Sequence, residues 1–592
     1  MNYLSFVKNF IYESRGRFTP FLSWIGELKD PSVIKADLIA GITVALILIP
    51  QSMAYAQLAG LPPYYGLYAA FLPGMVAAIF GSSRQLATGP VAVVSLLTAS
   101  ALEPLAGSNP EAYLTYAVVL ALFVGVFQLA LGLLKLGVLV NFLSHPVVIG
   151  FTNAAAIIIA TSQLSKIFGV TVFKAAHHYE TVWRVLLAAV EHTHMPTFAM
   201  GILSLTILIV FKKYLPQIPN VLAAVAAATI ISWLFNFNAK GGAVVGDIPV
   251  GLPGFDIPSV FWSEVSGLMG TAVAIGLIGF MEAISIAKAM AARTQQKLDP
   301  NQELVGQGLS NIVSGMFQGY AVSGSFSRSA VNINAGAITG FSSIVTGTVV
   351  GITLLWLTPL LYHLPQATLA SVIIMAVVNL IKLEPIKYAW KVQKHDGVVA
   401  VVTFVLTLLL APHLENGIIV GVLLSLGLFL HRTMRPRIAI LSRHADGTLR
   451  DAREHDLEVC PHIAVIRFDM SLYFANTGYF EDTILEHVAL HPEMRYIIID
   501  AESINHIDAT GEEMLHSLAT ALDEVGVEFL FARTKLQVLA VFIRTGFVQT
   551  LGEDHFHRTR TEAMQYAWDR TYCENKGCTN ACFLSRSKFV SD

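Results

Sequence analysis

The stretch Ser323-Gly324-Ser325-Phe326-Ser327-Arg328-Ser329-Ala330-Val331-Asn332 decides how the rest of the chain is read. It sits in hydrophobic sequence, yet carries four serines, a glycine and an arginine where a bilayer favours Leu and Val. A charge at bilayer depth costs roughly 2.5–3.5 kcal/mol on insertion scales, so such a residue faces a polar cavity or a partner. Small hydroxyl residues before an apolar run are also helix N-cap chemistry, and a helix that starts inside the membrane keeps N–H groups free to hold an anion. Arg328 and a helix start at Ser327 are therefore expected to form half of an anion site.

The composition around this stretch is that of a membrane protein. Of 592 residues, 54% are hydrophobic and only 13% charged, with a mean hydropathy of +0.61, outside the balance of soluble chains. The net charge of −3 gives no basic surface of the kind nucleic acid requires. Four cysteines at no framework spacing predict no disulfides, and the mixed charges of 1–31 do not read as a signal peptide.

Apolar runs fall near 38–60, 66–81, 87–101, 114–140, 147–168, 198–211, 220–237, 267–290, 304–319, 328–338, 341–361, 367–381, 397–412 and 415–431. This predicts a polytopic α-helical membrane protein of about fourteen segments. The runs 87–101 and 328–338 are too short for the roughly 20 residues of a full crossing and read as half-helices. Lys and Arg gather on alternate loops, at Lys29, Lys35, Arg84, Lys135, Lys212, Lys213, Arg293, Lys297, 382–394 and 432–437. By the positive-inside rule both termini are cytoplasmic and the protein is a multi-pass protein of the inner or plasma membrane. The expected organisation is a cytoplasmic N-terminal segment 1–37, a membrane domain 38–432, a linker 433–456, a cytoplasmic α/β domain 457–570 and a tail 571–592.

Seven runs laid over the next seven place a shortened segment third in each half, and the odd number inverts one half relative to the other. Paired interrupted segments in inverted repeats point to a substrate site at the midplane. The partner of the opening stretch is Ala87-Thr88-Gly89-Pro90, leading into Val91-Ala92-Val93-Val94-Ser95. Pro90 suits a first helical position and Gly89 keeps the backbone accessible. Two helix starts would then face each other, each carrying about half a positive charge. In the first run, Gln51 and Tyr55 of Ile49-Pro50-Gln51-Ser52-Met53-Ala54-Tyr55 share one helix face, as a site lining or as satisfied polar groups of a kinked helix. In the eighth, Glu282 is either a coupling group or an ion-pair partner of Arg328.

These motifs, with Leu61-Pro62-Pro63-Tyr64-Tyr65-Gly66-Leu67-Tyr68 and Ser325-Phe326-Ser327-Arg328-Ser329, resemble the SulP family of anion transporters, related to pendrin and prestin, over nearly the whole chain. The resemblance implies two seven-segment inverted repeats of the uracil-permease type, with core and gate domains and elevator-like transport. It implies a substrate-binding set of Gln51, Tyr55, Gly89, Val91, Ala92, Phe326, Ser327 and Arg328, with Glu282 at the acidic position used for cation coupling. Prestin-like members carry an aromatic residue where Val91 stands. The expected activity is secondary active uptake of an inorganic anion, with sulfate first and a proton as coupling ion. Bicarbonate or a C4-dicarboxylate, sodium symport or exchange, and an anion channel or sensor are the alternatives. No enzyme motif appears, and no cofactor or metal is expected.

The 457–570 region alternates strand and helix: strands at 462–469, 495–501 and 527–532, helices at 476–490, 511–525 and 535–546. It resembles a STAS domain, with Asp508-Ala509-Thr510-Gly511 at a helix start. Thr510 stands where related domains carry a phosphorylatable hydroxyl, and Asp508 also reads as a plain N-cap. The domain is expected to serve folding, homodimer contacts or a cytoplasmic partner. His177, His178, His192 and His194 in one loop, and Cys573, Cys578 and Cys582 in the tail, have no metal-site spacing and read as solvated or reduced side chains.

Overall fold

The computed structural model describes residues 19–571, apart from 107–108, 139–143, 216–217, 257 and 259–265. Cys573, Cys578 and Cys582 lie outside the described residues. The chain divides at 425/426 into two compact units.

In the first unit the helices are α1 (Pro31–Leu58), α2 (Tyr64–Phe80), α3 (Ala92–Ala106), α4 (Pro110–Leu133), α5 (His145–Ser162), α6 (His178–His192), α7 (Met195–Tyr214) and α8 (Asn220–Leu234). They continue as α9 (Leu268–Thr294), α10 (Pro300–Met316), α11 (Phe326–Asn334), α12 (Phe341–Ile352), α13 (Gln366–Val378), α14 (Glu384–Val392) and α15 (Lys394–Leu410), and α16 (Leu414–Met434) runs across the 425/426 division. Short strands β1 (Ala87–Gly89) and β2 (Ser323–Ser325) precede α3 and α11. Setting α6 and α14 aside, fourteen segments remain in the predicted order, seven in each repeat. Among the described residues, seven helices are long and apolar enough to cross a bilayer unaided.

Helix starts follow from short cap sequences. Asp30, Asn109 and Asp299 each accept backbone N–H bonds at a helix entrance, and each is followed by a proline whose missing N–H is no loss there. The Asp30-Pro31 cap places the start of α1 several residues before the expected 38, because the cap and not the first apolar residue fixes a helix end. α6 and α14 were not expected. Each follows the fifth segment of its repeat, and each leaves large apolar side chains exposed: Trp183 and Val190 on α6, Tyr388 and Trp390 on α14. That is the pattern of helices lying in a membrane interface.

Close helix crossings use glycine. A Cβ on Gly125 of α4 would meet the backbone of Ile312 at 2.6 Å, and one on Gly308 of α10 the backbone of Leu129 at 2.5 Å. Gly306 likewise faces Gly81, so the Gly306-x-Gly308 pair serves packing. Gly324 has the most consequence for the site. A Cβ there would stand 2.8 Å from Leu86 Cδ1 and 3.1 Å from Ala283 Cα. Gly324→Val is expected to cost about 1–3 kcal/mol by overpacking. In detergent the variant should melt several degrees below the parent chain, whereas unchanged melting contradicts the close approach.

The second unit has strands β3 (Ile438–Arg443), β4 (Leu449–Asp451), β5 (Ile463–Phe468), β6 (Tyr496–Asp500), β7 (Glu528–Ala532) and β8 (Phe556–His557) in one sheet of order β4-β3-β5-β6-β7-β8. β5 to β8 run parallel, and β3 is antiparallel to both neighbours. Helices α17 (Thr477–Leu490), α18 (Ala509–Glu524) and α19 (Leu536–Thr545) cover one face through Phe480, Leu515 and Phe542. α20 (Arg560–Thr571) covers the other through Met564 and Trp568. Strands and helices within 462–546 lie where the sequence placed them. The stretch 433–456, expected as a linker, instead supplies β3 and β4. Its charged residues concealed the alternation, because β3 is half-buried and β4 is a three-residue edge.

Candidate functional site

The two half-segments meet in a ribbon. β1 and β2 pair antiparallel with Ala87 opposite Ser325, Thr88 opposite Gly324 and Gly89 opposite Ser323. Deep in a bilayer, extended backbone survives only where its N–H and C=O groups are satisfied, and here each strand satisfies the other. α3 leaves one end of the ribbon and α11 the opposite end. Their first turns therefore face one another across three residue pairs, about 10 Å at strand spacing. α3 has fifteen residues and α11 nine, about 23 Å and 14 Å of helix, so neither spans the bilayer alone.

The sequence placed the second half-helix at 328–338, whereas it begins at Phe326 with Ser325 at the N-cap position. The Ser325 side chain does not cap the helix, and its hydroxyl lies 3.4 Å from that of Ser327. The first-turn N–H groups of α11 are thus left to a ligand or water. Pro90 is also corrected: it precedes Val91 and the start of α3 at Ala92, and so is not the first helical residue. What it contributes is its carbonyl.

Arg328 is 1% exposed, the largest fully buried side chain among the described residues. It leaves the first turn of α11, runs along the ribbon and donates from Nη1 to the carbonyl of Pro90 at 2.8 Å. Its Nε and Nη2 have no hydrogen-bond partner among the described residues. A guanidinium has five N–H donors and cannot shed its charge, so unpaired donors in a dry site are costly unless something negative fills them. Gly89 provides the room, since a Cβ there would lie 3.4 Å from Nη2.

Around this arginine stand the other expected residues. Gln51 and Tyr55 of α1 are both buried at 6% exposure, and Gln51 Oε1 has no partner. Val91 and Ala92 at the start of α3 are buried, while Phe326 and Ser327 at the start of α11 are exposed. Glu282 lies on α9, between Gly279, whose carbonyl accepts from the Ser323 hydroxyl at 2.7 Å, and Ala283, which packs under Gly324. It lies within electrostatic reach of Arg328 and Tyr55, yet its carboxylate forms no ion pair with the Arg328 guanidinium, whose one hydrogen bond among the described residues goes to Pro90. The expected alternative of a Glu282–Arg328 ion pair is therefore not the arrangement found. Thr510 is distant in sequence and belongs to the second unit, exposed in the first turn of α18. Asp508 caps that helix, accepting from Gly511 N at 2.8 Å.

Sequence reasoning missed the groups that hold the ribbon. Glu303 of α10, 1% exposed, accepts from Ser82 N and Ser83 N at 2.9 Å each. Gln307, one turn on, donates to Glu303 and to Thr88 of β1. Asp37 of α1 accepts from Ile338 N and Thr339 N just after α11. Ser329 accepts from Ala87 N, and Tyr320 hydrogen-bonds Ser95 of α3 at 3.0 Å. Both buried carboxylates are satisfied by backbone N–H groups, a pairing that leaves no motif. The sequence signal available was an acid at the rim of an apolar run.

The four loop histidines go separate ways: His178 to Thr161, His194 to Thr197 and the Lys240 carbonyl, His177 against Tyr179, and His192 near Glu191.

The chain matches known proteins along both units. The profile of the Sulfate permease family matches residues 34–403, and that of the STAS domain residues 454–563. Among curated relatives, Probable sulfate transporter 4.2 of Arabidopsis thaliana is 37% identical over 92% of this chain and 83% of its own length. Sulfate transporter 4.1, chloroplastic, of the same plant is 36% identical over 92% and 82%. Among solved structures, the murine Solute Carrier 26 family member A9 anion transporter in the inward-facing state superposes with a TM-score of 0.86 at 25% identity, covering 95% of each chain. The transmembrane domain of a cyanobacterial bicarbonate transporter, BicA, shares the fold with a TM-score of 0.57 at 24% identity, over 67% of this chain and 98% of its own. A helical membrane unit with an inverted repeat, an α/β unit after it and a profile match over most of the membrane part agree, and this chain belongs to the sulfate permease family of multi-pass membrane transporters, with a C-terminal STAS domain.

Proposed function

We propose that this chain is a secondary active transporter of a small inorganic oxyanion, with sulfate as the favoured cargo and a proton as the coupling ion. The observation that carries this reading is Arg328, buried at 1% exposure between two helix starts with Nε and Nη2 unpartnered. A tetrahedral oxyanion offers acceptors in several directions, enough for both donors and for N–H groups from two helix starts at once. The relatives named as sulfate transporters support the same cargo.

Glu282 is the coupling group in this reading. Protonated, it leaves the full charge of Arg328 to the anion; deprotonated, it competes for that charge and weakens binding. Ser285 and Lys288, both exposed, follow the half-buried Glu282 at three-residue steps on one side of α9 and supply a polar route toward the end of that helix. Transport is by elevator-like displacement of a core holding the ribbon, for which the interlocked Glu303, Gln307 and Asp37 contacts provide the rigidity.

The test is reconstitution into liposomes with labelled sulfate, bicarbonate and succinate under separate proton and sodium gradients. Saturable sulfate uptake driven by an inward proton gradient is expected. Uptake of succinate alone, or a sulfate flux that does not saturate, would remove the proposal.

A further inference from the structure

On the face carrying the 59–63, 169–177 and 411–413 turns lies a cavity of about 590 Å³. Its floor is set by Leu58 of α1 and Leu96 of α3, 7% and 9% exposed. Leu58 is three residues beyond Tyr55 and Leu96 four beyond Ala92. Each is about one helical turn, roughly 5 Å, past the central site on the helix that lines it. The cavity thus shares α1 and α3 with the Arg328 site and lies about one turn further along each, with Leu58 and Leu96 in its lining.

Lys166, in the short helix Leu164–Phe168 after α5, stands half-buried in its wall. Among the described residues its ammonium bonds Gln57 Oε1 at 3.3 Å and forms no ion pair. The other titratable groups of the wall are accounted for. Lys174 pairs with Glu103 at 2.7 Å. His178 bonds Thr161, and burial together with Lys174 holds its pKa below the usual value, so it is neutral at pH 7. One uncompensated positive charge remains, beside the hydroxyls of Ser162 and Ser165. A lone ammonium among hydroxyl donors, in a cavity of ligand size, is a site for negatively charged oxygen.

We propose that this cavity holds a second anion site, centred on Lys166, which takes a small oxyanion of the transported class before it reaches Arg328; this rests on the transport reading above. The two sites work in series, and the lysine raises the local anion concentration above the leucine floor.

The test follows reductive methylation of lysines by formaldehyde and cyanoborohydride in the full-length protein in liposomes, read by mass spectrometry with and without sulfate. Saturating sulfate should slow modification of Lys166 at least fivefold and leave Lys240 unaffected. In Arg328→Ala, which removes the central site, the protection should persist although uptake is lost. In uptake assays Lys166→Gln should raise KM about tenfold with kcat unchanged, and Lys166→Arg should restore it. Equal modification with and without sulfate, protection that vanishes in Arg328→Ala, or a KM that Lys166→Gln leaves unmoved each overturns the proposal. Protection of Lys166 in a parental protein that itself moves no sulfate would instead overturn the transport reading and leave the binding site standing.

Discussion

Replacing Arg328 with alanine is expected to reduce sulfate uptake at least 100-fold while the protein still folds. Two donors, Nε and Nη2, await an acceptor in the buried site. A hydrogen bond to a charged group is worth about 1.5–3 kcal/mol, so losing two removes about 3–6 kcal/mol of anion binding, a factor of roughly 100 to 10⁴. The same change deletes the bond to the Pro90 carbonyl, a structural loss of about 1–3 kcal/mol. Melting in detergent separates the two effects. Arg328→Lys keeps the charge but loses the planar fork, and should lie between the extremes, near a tenfold loss. Uptake at the parental rate in a folded Arg328→Ala protein would place the anion elsewhere.

Glu282→Gln should abolish accumulation driven by a proton gradient, by tenfold or more, and leave sulfate-for-sulfate exchange close to the parental rate. Glutamine keeps the shape of the protonated carboxyl but cannot release a proton. The variant is thus held in the anion-accepting condition at every pH, and the gradient has nothing to act on. Binding linkage is reciprocal: if the proton favours the anion, the anion favours the proton to the same degree. Anion binding by the parent protein should therefore strengthen as pH falls, while binding by Glu282→Gln should be flat with pH. Full gradient-driven uptake by this variant would assign coupling to another group.

The membrane architecture was legible because lipid imposes a simple rule. A segment either has about 20 apolar residues or needs help, and the two short runs at 87–101 and 328–338 marked the ribbon. Hidden from the sequence was the form of that help. Ala87-Thr88-Gly89 and Ser323-Gly324-Ser325 are too short to read as strands, and neither is stable without the other. Arg328 was visible as a charge out of place, but its bond to Pro90, 238 positions away in the chain, follows only from the antiparallel register. Glu303, Gln307 and Asp37 were missed for a related reason: Glu303 and Asp37 accept from backbone N–H groups of the opposite repeat, and Gln307 donates to the Thr88 hydroxyl there, pairings that no local pattern records. In the second unit the buried parallel strands announced themselves as apolar runs, whereas the half-buried β3 and the edge strand β4 in 433–456 did not.

The central claim is that an oxyanion sits between the starts of α3 and α11 on the free face of Arg328. Anomalous scattering from selenate, a sulfate analogue of the same shape and charge, tests it most directly. The account predicts a selenium peak within about 4–5 Å of the Arg328 guanidinium, in hydrogen-bonding reach of first-turn N–H groups at both Ala92 and Ser327. The Arg328→Ala protein should lack that peak. A selenium peak away from both helix starts, or one that survives in Arg328→Ala, would contradict it.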